Sequence, residues 1–430
     1  MFLHYSAGKH SFFSMIALVD CNSCFASMEQ IFRPDLRGKP VIVASNNDGC
    51  VVTRNAEAKA LAIPNLEPLF KIKKIIEKHN VNVFSSNYEL YQDISRRLMS
   101  LLETFGNQIE VYSVDECFLD VEGFSDLRSH GIAIKKACWK QQRIPVCIGA
   151  GKSKTIAKLS NHIAKKSHKL GGVCIIDNLK PWTAVFEKLP VDTVWGVGKQ
   201  TAKKLNSMSI YSVQDLRTKN PNTIRQQLGI VMERTIRELN NEPCLDFETQ
   251  PSPKKEIFCS RSFGKKITTL AELEESVANY AFRAAEKLRL QNGQTQRIYV
   301  ILQSSRFATP YYGNNQSIAL PCPSNDSRDI IFAATSLIRK MYRSGFRYAR
   351  AGVGLLELTG MEHQQGDLFT KNQSAQSLAI MNTLDSINRR YGSGSLFVGA
   401  QGTQRTWSMS RSLKSPSYTT RFSDLPVIKI

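Results

Sequence analysis

Two short runs of apolar residues in the first third of the chain end abruptly in acidic residues. Residues 17–20 read Ala-Leu-Val-Asp, and residues 112–116 read Tyr-Ser-Val-Asp-Glu. Runs of this kind predict β-strands, here over 15–20 and 109–114. A further strand over 117–121 would complete a hairpin around the second acidic group. If these strands are neighbours in one sheet, Asp20, Asp115 and Glu116 lie close together.

The spacing of apolar positions predicts alternating helices and strands over the remainder of the first 182 residues. The predicted helices begin near residue 22 and cover 55–61, 88–105, 125–141 and 154–166. The additional strands are predicted over 40–44, 50–54 and 145–149. Strand, helix, hairpin, helix and strand in this order are typical of the split βαβ arrangement, which would place Asp20 beside Asp115 on central strands.

A second series of strands and helices follows a mostly helical region over 185–247. Two prolines and two lysines in 250–255 indicate a solvated linker, because proline cannot continue a helix. The second series predicts strands near 256–263, 297–304, 316–320 and 351–358, with helices near 271–291 and 327–343. From 361 onward the chain is polar and rich in Gln, Ser and Gly, which predicts partial disorder or ordering only on binding.

The composition favours a polyanionic partner. The chain has 430 residues, and 57 Lys and Arg against 37 Asp and Glu give a formal net charge of +20. Residues 254–350 alone hold 16 basic and 7 acidic residues, or about +9. No apolar run approaches the length of a membrane span, which argues against insertion. Residues 1–14 lack the apolar core of a signal peptide and are assigned as an N-terminal extension, and a cytoplasmic location is expected.

The ten cysteines are expected to be reduced thiols, because they show no disulfide spacing and no secretion signal precedes them. Cys21 and Cys24 form a Cys-x-x-Cys pair, but the chain offers no second pair at the spacing of a zinc site. A redox motif is the remaining alternative to a simple turn after the first strand.

Three clustered carboxylates would repel one another unless cations lay between them. Hard oxygen ligands suit Mg²⁺, which also accepts substrate phosphates as ligands. Two such ions about 4 Å apart can stabilise the attacking and leaving oxygens of a phosphoryl transfer. The alternative is that the three acids are unrelated residues at strand ends.

Several longer motifs extend this pattern along the chain. Residues 16–29 read Ile-Ala-Leu-Val-Asp-Cys-Asn-Ser-Cys-Phe-Ala-Ser-Met-Glu, and residues 51–60 read Val-Val-Thr-Arg-Asn-Ala-Glu-Ala-Lys-Ala. Residues 85–91, 258–264 and 418–421 add Ser-Ser-Asn-Tyr-Glu-Leu-Tyr, Phe-Cys-Ser-Arg-Ser-Phe-Gly and Tyr-Thr-Thr-Arg. In this order the motifs resemble the Y-family translesion DNA polymerases, closest to the branch of the bacterial DNA polymerase V catalytic subunit (UmuC-like).

The resemblance implies a multidomain α+β fold of the right-hand polymerase type, in which the split βαβ unit forms the palm. The implied domains are a palm over 15–24 and 91–182, small fingers over 25–90, a helical thumb over 183–247, a linker over 248–256, a βαββαβ little finger over 257–360 and a C-terminal tail over 361–430 with a clamp-binding peptide.

The resemblance also implies the active-site residues. Asp20, Asp115 and Glu116 would hold two Mg²⁺ ions per active site, and the carbonyl of Cys21 would face a metal. Phe25 would be the bulky gate that excludes the 2′-oxygen of ribonucleotides; the alternative is a core phenylalanine. The contacts to the incoming triphosphate would come from Arg54, Lys59 and Lys158, although a salt bridge would also explain Arg54. The segment 152–169 has six lysines and no acid, which favours a phosphate-facing or nucleic-acid-facing helix.

The remaining motifs concern DNA and protein partners. Gly196, Gly198 and Lys199 resemble a helix-hairpin-helix turn between two helices, whose backbone N–H groups would bind a DNA phosphate. Gln365, Leu368 and Phe369 resemble the peptide with which bacterial polymerases bind the sliding clamp. Damaged primer–template DNA and deoxynucleoside triphosphates are the implied substrates. A cleaved UmuD-like accessory dimer and a recombinase filament are the further implied partners.

Two other classes compete with an error-prone translesion polymerase acting in the SOS response. One is a non-catalytic relative that binds DNA and the clamp; all three acids are nevertheless present in this chain. The other is a metal-dependent nuclease, which shares the carboxylates but degrades DNA rather than consuming deoxynucleotides.

Overall fold

The computed structural model describes residues 15–250, 252–362, 373–425 and 427. The chain forms two compact units. Within the described residues, the first unit contains 15–44, 50–250 and the segment from 413 onward, and the second contains 45–49 and 252–412.

A five-stranded sheet lies at the centre of the first unit. Its strands are β1 (Ile16–Cys21), β5 (Ile109–Val111), β6 (Glu116–Asp120), β7 (Val146–Gly151) and β8 (Val173–Ile176), in the order β5-β6-β1-β7-β8. β1 is antiparallel to both of its neighbours, and its apolar side chains are buried. The helices that accompany this five-stranded sheet are α4 (Tyr88–Glu103), α5 (Leu127–Gln142) and α6 (Lys154–Lys166).

Helix α6 lies unusually close to β7. A Cβ atom on Gly149 would lie only 2.0 Å from the backbone nitrogen of Asn161. Glycine at this position therefore allows the helix backbone to pack directly on the strand. Ser153 fixes the start of the helix, because its hydroxyl accepts from Ile156 N and donates to Glu238 O. As a result α6 runs beside the strand end that carries Asp20.

A smaller three-stranded sheet and a group of short helices complete the first unit. The sheet has the order β3-β2-β4, and its strands are β2 (Val41–Ala44), β3 (Val51–Arg54) and β4 (Asn82–Ser85). Helices α1 (Cys24–Phe32), α2 (Ala56–Ala60) and α3 (Lys73–Lys78) accompany it. The helical region contains α7 (Thr183–Lys188), α8 (Lys199–Ser207), α9 (Val213–Arg217), α10 (Pro221–Leu228) and α11 (Ile230–Leu239).

The second unit is a four-stranded antiparallel sheet packed against helices. Its strands are β9 (Ile257–Ile267), β10 (Gly293–Ser304), β11 (Gly313–Ser324) and β12 (Tyr348–Gly360), in the order β11-β10-β12-β9. Its helices are α12 (Leu270–Leu290), α13 (Ser327–Met341) and α14 (Ala375–Tyr391). Up to β12 the order of elements is the βαββαβ series that the sequence pattern predicts.

The sequence predicts partial disorder, or ordering only on binding, from residue 361 onward, whereas the described residues 373–425 are ordered without a partner. Helix α14 buries Met381 and Leu384 in the core of the second unit, and Arg289 forms an ion pair with Asp385 at 2.7 Å. Further along, Tyr418 is buried in the core of the first unit. A few correctly spaced apolar residues are enough to order this segment because each joins an existing core.

All ten cysteines lie within the described residues, and none of them forms a disulfide bond. A hydrogen bond with Cys24, together with burial, raises the pKa of the Cys21 thiol well above its usual value. A protonated thiol is a poor nucleophile, so the pair is better explained as part of a buried turn than as a redox centre.

Lys154 also departs from its predicted role. It belongs to the lysine-rich segment expected to face phosphate, yet it is only 3 % exposed and is paired with Glu110 of β5. It also donates to Asp246 O, while Glu248 N donates to Glu110 at 2.8 Å. Lys154 therefore connects α6, β5 and the end of the helical region.

We expect Lys154→Met to lower the free energy of unfolding by about 3–5 kcal/mol, because the Glu110 carboxylate would remain buried without its counter-charge. The double variant Lys154→Met/Glu110→Leu removes both charges and should recover much of this loss. Urea denaturation of the three proteins measures the difference. An equal loss in the single and double variants would contradict a buried-charge origin.

Candidate active site

Backbone pairing brings the three predicted acids together. Asp20 on β1 is directly opposite Glu116 on β6, and Cys21 N donates to Asp115 O at 2.8 Å. The turn before β6 is fixed by Ser113, whose hydroxyl accepts from Asp115 N and Glu116 N and donates to the Asp115 carboxylate. The backbone therefore places the three acids at the same end of neighbouring strands, as the sequence predicts.

Two lysines on one face of α6 hold two of the acids. Lys158 pairs with Glu116 at 2.8 Å, and Lys165 pairs with Asp20 at 2.6 Å. Sequence reasoning singled out Lys158 but not Lys165. The available signal was the spacing of seven residues, or two helical turns, which places both lysines on the same side of the helix.

The environment of Asp20 favours a cation. Burial raises the pKa of its carboxyl group; Lys165 opposes this rise, while the charges of Glu116 and Asp115 add to it. Ionised Asp20 is thus costly in this position without positive charge nearby. An ammonium group supplies that charge here, and a divalent cation would supply more.

The carboxylates have the chemistry of a Mg²⁺ site but are not arranged as one. Within residues 15–250, 252–362, 373–425 and 427, no group of three or more His, Cys, Asp or Glu side chains is placed to hold a metal ion. Glu116 and Asp20 each pair with a different lysine. Their carboxylates and that of Asp115 therefore do not form the single metal-binding group that the sequence predicts. Three adjacent carboxylates nevertheless form a hard-oxygen donor set, which fits Mg²⁺.

Lys158 lies in a cage of aromatic rings. Its ammonium nitrogen is 4.3 Å from the ring centre of Tyr112, 5.0 Å from that of Trp195 and 5.9 Å from that of Phe118. Cation–π attraction of this kind holds the Lys158 side chain against the rings. The cage holds Lys158 beside the acids and limits where its ammonium group can reach.

The other two predicted phosphate contacts, Lys59 and Arg54, are basic side chains whose charges act on each other. Lys59 donates to Ser23 Oγ at 2.9 Å, and its pKa is lowered by burial and by the nearby charges of Arg54 and Lys165. Two nitrogens of the Arg54 guanidinium, Nε and Nη1, are buried and have no hydrogen-bond partner in the described structure. No ion pair with Arg54 occurs among the described residues, so the salt-bridge alternative lacks support. These groups are suited to an anionic ligand.

Phe25 is half-buried on the first turn of α1. Its ring stacks on Tyr91 with centroids 4.5 Å apart and contacts the edge of Tyr88 at 6.0 Å. The ring therefore has one face supported by the core and remains partly exposed, a position compatible with a sugar gate and with a residue at the edge of the core.

Comparison with known proteins identifies the family. Residues 19–162 match the model of the impB/mucB/samB family, and residues 254–368 match the model of its C-terminal domain. The chain is 44% identical to the protein UmuC of Salmonella typhimurium over 422 residues, covering 96% of this chain and 100% of that protein. The chain belongs to the impB/mucB/samB family. It is also 41% identical to the protein SamB of Salmonella typhimurium, over 97% of this chain and 100% of the relative.

Solved structures show the fold of this family member. A Y-family DNA polymerase chimera of Dbh and Dpo4 matches with a TM-score of 0.63 at 22% identity, over 80% of this chain and 99% of the other. An insertion ternary complex of Dbh DNA polymerase matches with a TM-score of 0.52, also at 22% identity and over 80% and 99% of the two chains. The fold is therefore that of the right-hand Y-family polymerases, as predicted.

Residues 379–428 match a further model, described only as a domain of unknown function (DUF4113). In this impB/mucB/samB family member, the match begins within α14 and continues through the segment that contains Ser415 and Tyr418.

The predicted DNA-binding turn contains Gly196, Gly198 and Lys199. Gly196 has a φ of 86°, which favours glycine, and α8 starts at Lys199 without a side-chain cap. Its first backbone N–H groups are therefore available to a phosphate. The element before this turn is only a short 3-10 helix over Val191–Thr193. The sequence predicts a full helix on each side, so the first helix of the predicted pair is shorter than expected.

The predicted clamp-binding residues Gln365, Leu368 and Phe369 lie outside the described residues, as does the extension over 1–14. Throughout the described ranges, no helix combines the length and apolar character needed to cross a membrane.

We expect Lys165→Gln to strengthen Mg²⁺ binding by up to about fivefold, because the ammonium group and the metal compete for the same Asp20 carboxylate in a partly exposed ion pair. Calorimetric titration with Mg²⁺ in the absence of DNA measures this. Lys166→Gln, which removes the same charge from the adjacent exposed position, is the matched control. Weaker Mg²⁺ binding by Lys165→Gln than by the control would show that Lys165 does not compete with the metal.

Proposed function

We propose that this protein is an error-prone, template-directed DNA polymerase that performs translesion synthesis in the SOS response to DNA damage. The observation that carries this proposal is the placement of Asp20 opposite Glu116, with Asp115 adjacent, in a palm-type sheet. The near full-length similarity to UmuC and the Y-family fold support it. A match of 25% identity to DNA polymerase IV of Bacillus velezensis, over 89% of this chain and 92% of that protein, agrees with the same activity.

Asp20, Asp115 and Glu116 are the proposed ligands of two Mg²⁺ ions, with the carbonyl of Cys21 beside them. When bound, the ions would lower the pKa of the primer 3′-hydroxyl and neutralise charge on the triphosphate. To accept the ions, Asp20 and Glu116 must release Lys165 and Lys158. Both lysines would then be available to an anionic substrate.

The triphosphate of the incoming nucleotide is the proposed anion for the basic groups around the acids. Lys158, Lys59 and the unpartnered nitrogens of Arg54 carry positive charge around the acids. Binding a triphosphate would satisfy the Arg54 donors and replace the Glu116 charge that Lys158 gives up. In this arrangement the lysine and arginine side chains position the substrate rather than react with it.

Phe25 is the proposed gate against ribonucleotides. Its ring is held from one side by Tyr91 and would present the other side to the sugar. A flat ring under the sugar leaves no space for a 2′-oxygen. A ring can exclude ribonucleotides only if it is held in place. Sugar selectivity therefore depends on the residues that pack behind Phe25 as well as on its ring.

DNA binding is assigned to two regions of the chain. The turn with Gly196, Gly198 and Lys199 would bind the backbone of the duplex through its N–H groups. The region 254–350, with its net charge of about +9, would bind phosphates without reading sequence. The affinity should therefore fall steeply with salt.

The remaining partners follow from the family. We propose that Gln365, Leu368 and Phe369 bind the sliding clamp, and that a cleaved UmuD-like accessory dimer and a recombinase filament activate the enzyme. We place the enzyme in the cytoplasm, where its DNA substrate is found. A non-catalytic relative and a nuclease remain distinguishable outcomes of the activity test.

We expect Asp115→Asn to retain the fold and to lower primer extension by at least about a thousandfold, because one charge of the metal site is lost. A primer-extension gel with Mg²⁺ and an abasic template measures this. Accumulation of shortened DNA by the wild type would indicate a nuclease, and failure of the wild type to extend would favour the non-catalytic relative. Near-normal extension by the pure variant would contradict the assignment of Asp115.

We expect Leu368→Ala/Phe369→Ala to leave extension unchanged when no clamp is present and to abolish the stimulation by loaded clamp. A tether raises the local concentration of the polymerase at the primer end without altering its active site. Extension assays with and without clamp, together with a clamp pull-down, test this. Equal stimulation of the variant and the wild type would place the anchor elsewhere.

A further inference from the structure

The support behind Phe25 extends beyond its stacking partner. Tyr91 is fully buried, and its hydroxyl donates to Glu29 Oε1 at 2.6 Å. Glu29 lies one helical turn after Phe25 on α1, so the same helix carries both the ring and the carboxylate that orients its stacking partner. The position of Tyr91 relative to Phe25 is therefore fixed by a ring contact and by this hydrogen bond.

The C-terminal segment supplies the second donor to the same oxygen. Ser415 Oγ donates to Glu29 Oε1 at 3.0 Å. Asn87 donates through Nδ2 to Ser415 Oγ at 3.0 Å and to Ser415 O at 3.2 Å. The Oδ1 atom of Asn87 caps α4 by accepting from Leu90 N. Ser415 thus joins the start of α4, which carries Tyr91, to the helix that carries Phe25.

Glu29 has few hydrogen-bond partners other than Tyr91 and Ser415. The residue is 0% exposed, and its second oxygen, Oε2, has no hydrogen-bond partner in the described structure. Burial raises the pKa of Glu29 to about 7, although Tyr91 and Ser415 both act to lower it. Because no basic side chain forms an ion pair with Glu29 among the described residues, the two hydroxyl groups are the groups that hold it.

A second contact secures the same stretch of chain. Tyr418 stacks on Phe32 at the other end of α1, with ring centroids 4.6 Å apart. The segment from Ser415 to Tyr418 therefore runs along α1 and contacts it at two points. The whole segment lies inside the region 379–428 that matches the domain of unknown function.

We propose that Ser415 is a positioning residue for Phe25, so that this C-terminal region takes part in selecting the sugar of the incoming nucleotide. Ser415 acts through Glu29 and Tyr91 and does not touch the substrate. Without its hydroxyl, Glu29 keeps a single donor, and Tyr91 can shift together with the ring that stacks on it. The proposal rests on the proposed function of Phe25 as the sugar gate.

The test compares sugar selectivity, the ratio of kcat/KM for a deoxynucleotide to kcat/KM for the matching ribonucleotide. This ratio comes from one preparation and is independent of the fraction of folded protein, so partial unfolding does not affect it. We expect Ser415→Ala to lower the ratio by about three- to tenfold, the effect of losing one buried hydrogen bond. Ser415→Thr keeps the hydroxyl and should restore most of the ratio.

Two further variants separate positioning from general packing. Tyr91→Phe keeps the stacked ring but loses the bond to Glu29, and it should lower the ratio as Ser415→Ala does. Ser417→Ala removes a hydroxyl from the same segment outside the network and should leave the ratio at its wild-type value.

Phe25→Ala is the reference for complete loss of the gate and distinguishes the two possible failures. If Phe25→Ala loses selectivity while Ser415→Ala retains the wild-type ratio, the positioning role is wrong and the gate remains. If Phe25→Ala itself retains the wild-type ratio, Phe25 is not the sugar gate, and the positioning role proposed for Ser415 is wrong as well.

Discussion

The antiparallel pairing of β1 with β6 is the constraint on which the site depends. It places the backbone of Asp20 opposite that of Glu116 and next to that of Asp115. Carboxylates held this close need positive charge. In the structure that charge comes from Lys158 and Lys165, which reach the acids because glycine at position 149 allows α6 to pack directly on β7.

In the proposed mechanism, a bound metal would supply the positive charge that the two lysines supply in this structure. With Lys165 in place, the rise in the pKa of Asp20 that burial causes is partly offset. In the proposed mechanism, ions bound by the acids would displace the two lysines, so assembly of the ion site would release cations that suit a triphosphate. Such a coupling would account for the basic and acidic residues that are interleaved in one place.

Much of the architecture was open to prediction because apolar periodicity in these elements is strong. The predicted strands and helices of the central sheet lie within a few residues of those observed, and the acids follow from short motifs. Lys165 was missed because its role depends on which face of α6 meets Asp20. The lysine-rich pattern predicts a phosphate-facing position for Lys154, because its pairing with the buried Glu110 depends on a contact between distant parts of the chain. The sequence does not predict the order of residues 373–425, because Met381, Leu384 and Tyr418 are isolated apolar residues in a polar stretch, and only the folded cores show where they pack.

The claim that the acids exchange lysine for metal is tested most directly by locating the ions. A crystal structure of the protein with primer–template DNA, a non-hydrolysable deoxynucleotide and Mn²⁺, studied by anomalous scattering, gives the position of each ion without reference to activity. We expect two anomalous peaks coordinated by Asp20, Asp115 and Glu116, with Lys158 turned from Glu116 towards the triphosphate. Ions bound elsewhere, with Lys158 and Lys165 still paired to their acids, would contradict the exchange.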